Sequence, residues 1–257
     1  MSEDSSALSA QRSSETSHIG ETSRTGRLYL IPTPLGPAPV DASLPPQAHA
    51  LVCSLDGFVA ESAKSARRFL KAIGHPGPLS GISIAELNEH TPASALPALL
   101  APAQAGRRIG LLSEAGCPGV ADPGATLVAL AHAQGVPVVP LVGPSSLLLA
   151  LMASGLNGQQ FCFHGYLPVE SSALEAAIRA LEAQSLRESS TQLFIEAPYR
   201  NNRLLQALLQ VCRADTRLCV ATDLTLPSES IATRRVADWR GAVPDIDRRP
   251  TVFVLQG

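Results

Sequence analysis

The sequence predicts an α/β protein in two parts: a mainly parallel sheet in the N-terminal part and a mixed α+β C-terminal part. Between residues 27 and 155, short apolar runs alternate with helical patterns. Continuous apolar runs are typical of strands that are buried on both faces, as in parallel sheets. Beyond residue 159 the strand patterns outnumber the helical ones, which favours mixed or antiparallel pairing. We expect an N-terminal domain over residues 27–156 and a C-terminal domain over residues 159–257, with the Gly-Leu-Asn-Gly run at 155–158 between them.

The composition narrows the functional classes. The chain has 257 residues, 45% of them hydrophobic and only 4% aromatic, so a sizeable core must be mostly aliphatic. A formal net charge of −2 argues against binding of nucleic acid through the overall charge of the protein, but it does not exclude a local basic patch. The five cysteines form no C-x-x-C pair. We therefore expect no metal site and no disulfide framework, and reduced thiols in a cytoplasmic protein.

The first 26 residues differ from the rest of the chain. They are rich in Ser, Thr and Glu and poor in apolar residues, which predicts a disordered tail over residues 1–26. The tail lacks the apolar core of a signal peptide. The most apolar run, at 147–152, is too short to span a bilayer, so we expect no membrane association.

The N-terminal part contains strands and helices in alternation. The expected elements are a strand at 28–32, an apolar run at 50–54, a helix at 62–74, a weak strand at 80–84, a helix at 95–105, a strand at 109–112, a helix at 125–134, a strand at 136–141 and a helix at 147–153. Ser62 is placed to cap its helix, whose apolar residues recur at close to 3.6 residues and whose other face carries basic side chains. Asp122 is a good N-cap, with Pro123 at the first helical position and Gly135 at the end. Since the helix at 147–153 is apolar on every face, it is expected to be buried.

The C-terminal part is expected to contain fewer helices. Its elements are strands at 161–166, 192–196, 218–222, 230–239 and 251–256, with helices at 171–184 and 201–213. Trp239 is expected to be partly in the core.

Turns rich in glycine and proline follow several of the predicted strands. They lie at 32–36, 113–124, 143–146 and 196–200, and the second has the sequence SEAGCPGVADPG. Such turns let a ligand approach main-chain groups closely, and in α/β proteins ligands gather at the carboxyl ends of strands. The dinucleotide, P-loop and serine-hydrolase signatures are absent from the sequence. The turns therefore indicate a cofactor site of another kind.

The order of these motifs resembles the tetrapyrrole methylase superfamily, and within it most closely the branch of ribosomal RNA small subunit methyltransferase I. The motifs are LYLIPTPLG at 28–36, SEAGCPGVADPG at 113–124, VVPLVGPSS at 138–146, SGL at 154–156, FHGYLP at 163–168, EAPYR at 196–200 and ATDLT at 221–225. The resemblance implies a two-domain tetrapyrrole-methylase-like fold, a homodimer, and S-adenosylmethionine bound between the domains.

The resemblance also implies a set of cofactor-binding residues. These are Pro34, Gly36, Glu114, Ala115, Gly116, Pro118, Val120, Ser145, Ser146, Glu196, Ala197, Pro198, Leu224 and Thr225. Methyl transfer is an in-line displacement, so holding donor and acceptor in line supplies roughly 7–11 kcal/mol of the barrier.

The acceptor side departs from the branch. The branch usually has an acidic-Asp-Thr-Arg run where this chain reads AESAK at 60–64, and an asparagine where this chain has Pro37. Glu61 and His90 are candidate catalytic groups, although a helix-start carboxylate and a solvated loop also explain them. The expected acceptor is ribosomal RNA, at a ribose 2'-hydroxyl or a base, with RNA or the ribosomal subunit as partner. The alternatives are a tetrapyrrole or other small molecule, or a protein that binds S-adenosylmethionine without catalysis.

Overall fold

The computed structural model describes residues 26–37 and 43–257. The predicted tail, apart from Gly26, lies outside the described residues. The first half of the chain contains β1 (Arg27–Ile31), α1 (Pro46–Val52), β2 (Gly57–Ala60), α2 (Ala63–Ala72), β3 (Ser83–Glu86), α3 (Leu96–Gln104), β4 (Arg108–Leu112), α4 (Gly124–Ala133), β5 (Val138–Pro140) and α5 (Ser146–Ser154). The second half contains β6 (Phe161–Tyr166), α6 (Ser171–Glu188), β7 (Thr191–Ile195), α7 (Asn201–Val211), β8 (Arg217–Thr222), β9 (Ser230–Arg235), α8 (Val236–Arg240) and β10 (Thr251–Gln256).

The first sheet has the strand order β3-β2-β4-β1-β5, and its strands are parallel. Apolar side chains cover both of its faces. Tyr29 and Ile31 of β1 pack with Phe69 and Leu70 of α2, whereas Leu28 packs on the other face with side chains of α3 and α4. The parallel sheet expected from the continuous apolar runs is confirmed. It brings the carboxyl ends of all five strands to one edge.

The second sheet has the order β6-β7-β10-β8-β9. Only β6 and β7 are parallel within it, and the remaining pairs are antiparallel. One face packs against α6, α7 and α8 around the stacked rings of Phe194 and Phe253, whose centroids lie 5.8 Å apart. The other face receives α5, since Ala150 and Leu151 belong to the same apolar cluster as Val252 and Val254. The mixed second sheet is thus confirmed, and α5 joins the two halves.

Several sequence expectations are wrong in detail. The helix α5 is not buried all round: Leu148 and Met152 are 52% and 78% exposed. The strand expected over 230–239 ends at Arg235, and the chain turns into α8. Trp239 is fully rather than partly buried, and its indole N–H donates to the carbonyl of Leu218 at 2.8 Å. The apolar run at 50–54 is the end of α1 and the turn after it.

The N-cap expected at Asp122 is displaced by one residue. The helix α4 begins at Gly124, and Pro123 is its cap residue. The Asp122 carboxylate nevertheless accepts the N–H of Gly124 at 2.7 Å and that of Gly119 at 3.1 Å. It therefore ties the long turn after β4 to the start of the helix, a role beyond that of a simple cap.

Candidate functional site

The turns after β1, β4 and β5 are bonded to one another. The backbones of Thr33 and Gly116 exchange two hydrogen bonds, of 2.9 and 3.1 Å. The Ser113 hydroxyl donates to the Gly116 carbonyl at 2.5 Å, and the Cys117 thiol donates to the Pro144 carbonyl at 3.3 Å. Because the three strands are parallel, their carboxyl ends coincide, and these bonds hold the turns together there. The sequence suggested this convergence.

Two glycines allow the close approach of these turns. Gly116 has φ of +76°, and a Cβ on it would lie 3.2 Å from Cδ2 of Leu35. A Cβ on Gly36 would lie 2.9 Å from Cδ1 of Leu226, in the turn after β8. The second contact shows that the turns of the first sheet meet a turn of the second.

A cavity of about 530 Å³ lies between the two sheets at this edge. Both halves of the chain line it. The predicted site residues on its wall are Glu61, Glu114, Ala115, Val120, Ser146, Glu196, Pro198 and Leu224. The crevice, as we call this cavity, has the size and the mixed polar and apolar wall of a small-molecule site.

A second cavity of about 450 Å³ adjoins the crevice. Pro34 and Gly36, predicted for the cofactor, line this cavity and not the crevice. Glu114 and Ala115, together with Leu35, line both. Five of the ten remaining lining residues lie on one side of α2, and the other five lie in the turn after β1 and at the ends of β2 and β4. We call it the α2 cavity.

Other predicted residues line neither cavity. Gly116, Pro118 and Ser145 lie in the bonded turns, and the Ala197 N–H donates to Oε1 of Glu196 at 2.7 Å. Thr225 has φ of +71°, and its N–H donates to Oε2 of Glu229 at 2.7 Å. These residues do not line the cavities themselves but belong to the turns that form the cavity walls.

The candidate catalytic groups are in different positions. Glu61 follows β2 directly and lines the crevice. His90 lines neither cavity; its side chain is 85% exposed and lies 3.5 Å from the equally exposed carboxylate of Glu89. Both residues are exposed, but only Glu61 lies on the wall of the crevice.

The crevice is negatively charged on the side of the first sheet. Glu61, Glu89, Glu114 and Asp122 all line it. Partial burial raises the pKa of Glu61, which is still an exposed residue, and the charges of Glu114, Asp122 and Glu89 raise it further. A cationic ligand would relieve this repulsion, since opposite charges at short range favour each other.

Glu196 is different, because its charge is already compensated. Its side chain is buried, and Oε1 accepts from Nη2 of Arg200 at 2.5 Å. Its carboxylate therefore contributes little free charge to the crevice.

The sequence reasoning missed part of the wall that the second sheet supplies. Asp223, Pro250, Thr251 and Val252 line the crevice. Since β10 runs antiparallel to β8, Thr251 at its start pairs with Thr222 at the end of β8. Asp223 has φ of +52°, and its Oδ2 accepts from Arg249 Nε and Ser228 Oγ, each at 2.8 Å. Asp223 lies within the ATDLT motif, so the sequence contained a signal that could have identified it. Pro250, Thr251 and Val252 lie at the start of an antiparallel strand, and no motif in the sequence marks them.

Within residues 26–37 and 43–257, no three His, Cys, Asp or Glu side chains are grouped so that they could hold a metal ion. No helix there has both the length and the apolar character required to span a membrane. The five cysteines, all within the described ranges, are free thiols.

Known proteins resemble this chain over most of its length. The family of Tetrapyrrole (Corrin/Porphyrin) Methylases matches residues 28–239. Ribosomal RNA small subunit methyltransferase I of Escherichia coli O157:H7 is 31% identical over 243 residues, which cover 93% of this chain and 81% of that protein. The protein of the same name from Pasteurella multocida (strain Pm70) is 30% identical over 237 residues, covering 91% and 80%. The crystal structure of the methyltransferase CobJ matches with a TM-score of 0.59 at 21% identity, covering 90% of this chain and 93% of that one, which shows a shared fold.

Proposed function

Because this chain belongs to the tetrapyrrole methylase family and is an S-adenosylmethionine-dependent methyltransferase, we propose that its donor binds in the crevice and that its acceptor is small-subunit ribosomal RNA. The proposed acceptor rests on one observation, the similarity to ribosomal RNA small subunit methyltransferase I over 93% of this chain and 81% of that protein. The methylated atom, a ribose 2'-oxygen or a base atom, is left open.

The residues of the crevice fit the donor. The glycine at 116 leaves the backbone bare where a Cβ would press on Leu35. The carboxylates of Glu61, Glu89, Glu114 and Asp122 give the first-sheet side of the crevice a negative charge that suits the positive sulfonium. Apolar Val120, Leu224 and Val252 supply a surface for the uncharged part of the nucleoside. When bound, S-adenosylmethionine supplies a methyl group whose bond to sulfur breaks as its bond to the acceptor atom forms, with the electron pair left on sulfur.

We propose Glu61 as the group that takes the proton from the acceptor. A carboxylate with a raised pKa is a better base than an ordinary one, and Glu61 lines the crevice. His90 stays a weaker candidate, since it would act only if the loop around it moved toward the crevice.

A homodimer is also part of this proposal. On α5, Leu148 and Met152 are one turn apart on the same face, and Val142 just before the helix is 75% exposed. Exposed aliphatic side chains grouped in this way mark association surfaces. The Met152→Asp variant is expected to be monomeric in sedimentation velocity at a concentration where the unaltered protein is dimeric. If the unaltered protein is itself monomeric, the dimer is ruled out.

The location follows from the acceptor. A protein that methylates ribosomal RNA acts in the cytoplasm, and free cysteines suit a reducing compartment. We therefore propose a cytoplasmic enzyme.

Two measurements test the main proposal. Calorimetric titration with S-adenosylmethionine measures donor binding, and transfer of a labelled methyl group to purified 30S subunits measures the acceptor. The same labelled donor is offered a tetrapyrrole, uroporphyrinogen III, in parallel. We expect label in the 16S RNA and none in the tetrapyrrole; the reverse distribution would refute the RNA acceptor, and donor binding without transfer to either would point to a binding protein.

A further inference from the structure

Beyond the donor site, we propose that the α2 cavity receives the acceptor nucleotide and that Arg68 binds its phosphate. This inference rests on the proposed function, because it assumes a nucleic-acid acceptor and a donor in the crevice. It assigns the two adjoining cavities to the two substrates.

The shared wall makes the assignment possible. Leu35, Glu114 and Ala115 line both cavities, so each cavity opens on the same three residues. In-line transfer requires the acceptor atom and the methyl group to come within about 3–3.5 Å of each other. The acceptor atom would then reach past these three residues toward the methyl group and toward Glu61, which lines the crevice and not the α2 cavity.

The charges decide which ligand occupies which cavity. The crevice presents four carboxylates on its first-sheet side, which favour a cation and repel a phosphate. The α2 cavity has one carboxylate, Glu114, and one guanidinium, Arg68, on its wall. A phosphodiester is therefore more stable at the α2 cavity.

The helix α2 explains why a basic group lies there. Its buried residues Ala66, Phe69 and Leu70 face the first sheet, and this fixes the rotation of the helix. Lys64, Arg67, Arg68 and Lys71 remain exposed, and of these only Arg68 lines the cavity. The ion pairs among the described residues involve none of the four. A guanidinium held at the rim of a cavity suits a phosphate, which it can bind in bidentate fashion.

The size of the cavity fits one nucleotide taken out of its stack. Its volume is about 450 Å³, within the range of sites that enclose small ligands, roughly 300–1,000 Å³. Enzymes that act on an atom of a structured nucleic acid commonly extrude the target nucleotide into such a pocket. A cavity open to the basic face of α2 offers that nucleotide an entrance next to its phosphate.

Two variants test the inference. Ala72 is exposed and lines the α2 cavity, so Ala72→Trp fills the cavity from the surface without disturbing the core. Arg68→Gln removes the charge. The matched controls lie on the exposed side of α6: Ala176→Trp adds the same bulk and Arg179→Gln removes the same charge away from both cavities.

We expect Arg68→Gln and Ala72→Trp to bind S-adenosylmethionine in calorimetry as the unaltered protein does. The KM for 30S subunits is expected to rise about tenfold or more in both. For Arg68→Gln the slope of log affinity for RNA against log salt concentration falls by about 1. Both controls keep the unaltered KM and slope.

The contrary outcomes are distinct. If both variants methylate 30S subunits with unaltered KM, the α2 cavity does not hold the acceptor, while the proposed function stands. If Ala72→Trp loses donor binding while its circular dichroism is unaltered, the α2 cavity belongs to the donor. If the unaltered protein binds donor but leaves 30S subunits unmethylated, the proposed acceptor fails and this inference with it.

Discussion

The Gly116→Ala substitution separates backbone strain from damage to the donor site. Gly116 has φ of +76° and Gly135, at the end of α4, has φ of +69°. Placing an alanine in the left-handed region lowers the free energy of unfolding by about 1–2 kcal/mol. The alanine also restricts the unfolded chain, which offsets about 0.4–1 kcal/mol of this loss. Each substitution should therefore cost about 1 kcal/mol of stability, which corresponds to a fall in Tm of about 2–4 °C for a chain of this size.

The two positions differ in the space around the new methyl group. A Cβ on Gly135 would have nothing within 4 Å, whereas a Cβ on Gly116 would lie 3.2 Å from Cδ2 of Leu35. Leu35 lines the crevice, so its displacement by a few tenths of an ångström changes the donor site. Overpacking by one methyl group costs about 1 kcal/mol where the neighbour can yield. We expect the Kd for S-adenosylmethionine to rise about fivefold in Gly116→Ala.

Thermal unfolding and calorimetric titration of both variants provide the assay. The expected pattern is a loss of Tm in both variants, larger in Gly116→Ala because the contact with Leu35 adds to the backbone strain, and a loss of donor affinity in Gly116→Ala alone. Unaltered donor affinity in Gly116→Ala, with Tm lowered as expected, would refute the position of the donor next to this turn. A loss of affinity in Gly135→Ala would show that strain alone accounts for the effect.

Three further perturbations follow from charges and hydrogen bonds. Partial burial and neighbouring carboxylates raise the pKa of Glu61, so its ionisation opposes folding above its ordinary pKa. Glu61→Gln should therefore gain stability relative to the unaltered protein as pH rises from 4 to 7. Urea unfolding at each pH will measure this gain, which should be smaller in high salt. Arg249→Leu leaves the buried carboxylate of Asp223 without its ion-pair partner. This should cost about 3 kcal/mol in urea unfolding and weaken donor binding, because Asp223 lines the crevice. Asp223→Asn in that background should recover part of the stability. Glu170 accepts hydrogen bonds from the Ser172 hydroxyl and from two N–H groups at the start of α6, and these bonds lower its pKa to about 2. Glu170→Ala should therefore destabilise the protein above pH 4.5. The difference in stability should vanish as pH falls toward 2.

The sequence was sufficient for the parallel character of the first sheet, although α1 and the inner strand β2 were not predicted. Continuous apolar runs predicted parallel strands, and parallel strands bring their ends to one edge, which is why glycine-rich turns far apart in the chain meet. Ser62 caps α2 as expected, its hydroxyl accepting the Ser65 N–H at 3.4 Å. These features depend on local patterns, which a single sequence carries.

Features that depend on contacts between distant segments were missed. The composition of α5 is apolar on every side and so gave no indication of which side would be exposed. The strand β9 ends at Arg235 because Val236 and Trp239 bury their side chains with α7 and the second sheet, and no break in the residue pattern marks that point. Likewise, the placement of Pro250 and Thr251 on the crevice depends on the antiparallel pairing of β10 with β8.

The packing of α5 on the second sheet restricts how substrates enter and leave. Separating the two halves by rotation would expose Ala150, Leu151 and their apolar neighbours on β8 and β10 to water, at about 25 cal/mol for each Å² of apolar surface. A hinge between the halves is therefore stiff. We therefore expect substrates to enter and leave through local motion of the turns where Leu226 rests against Gly36, and the rate of product release to depend on that contact.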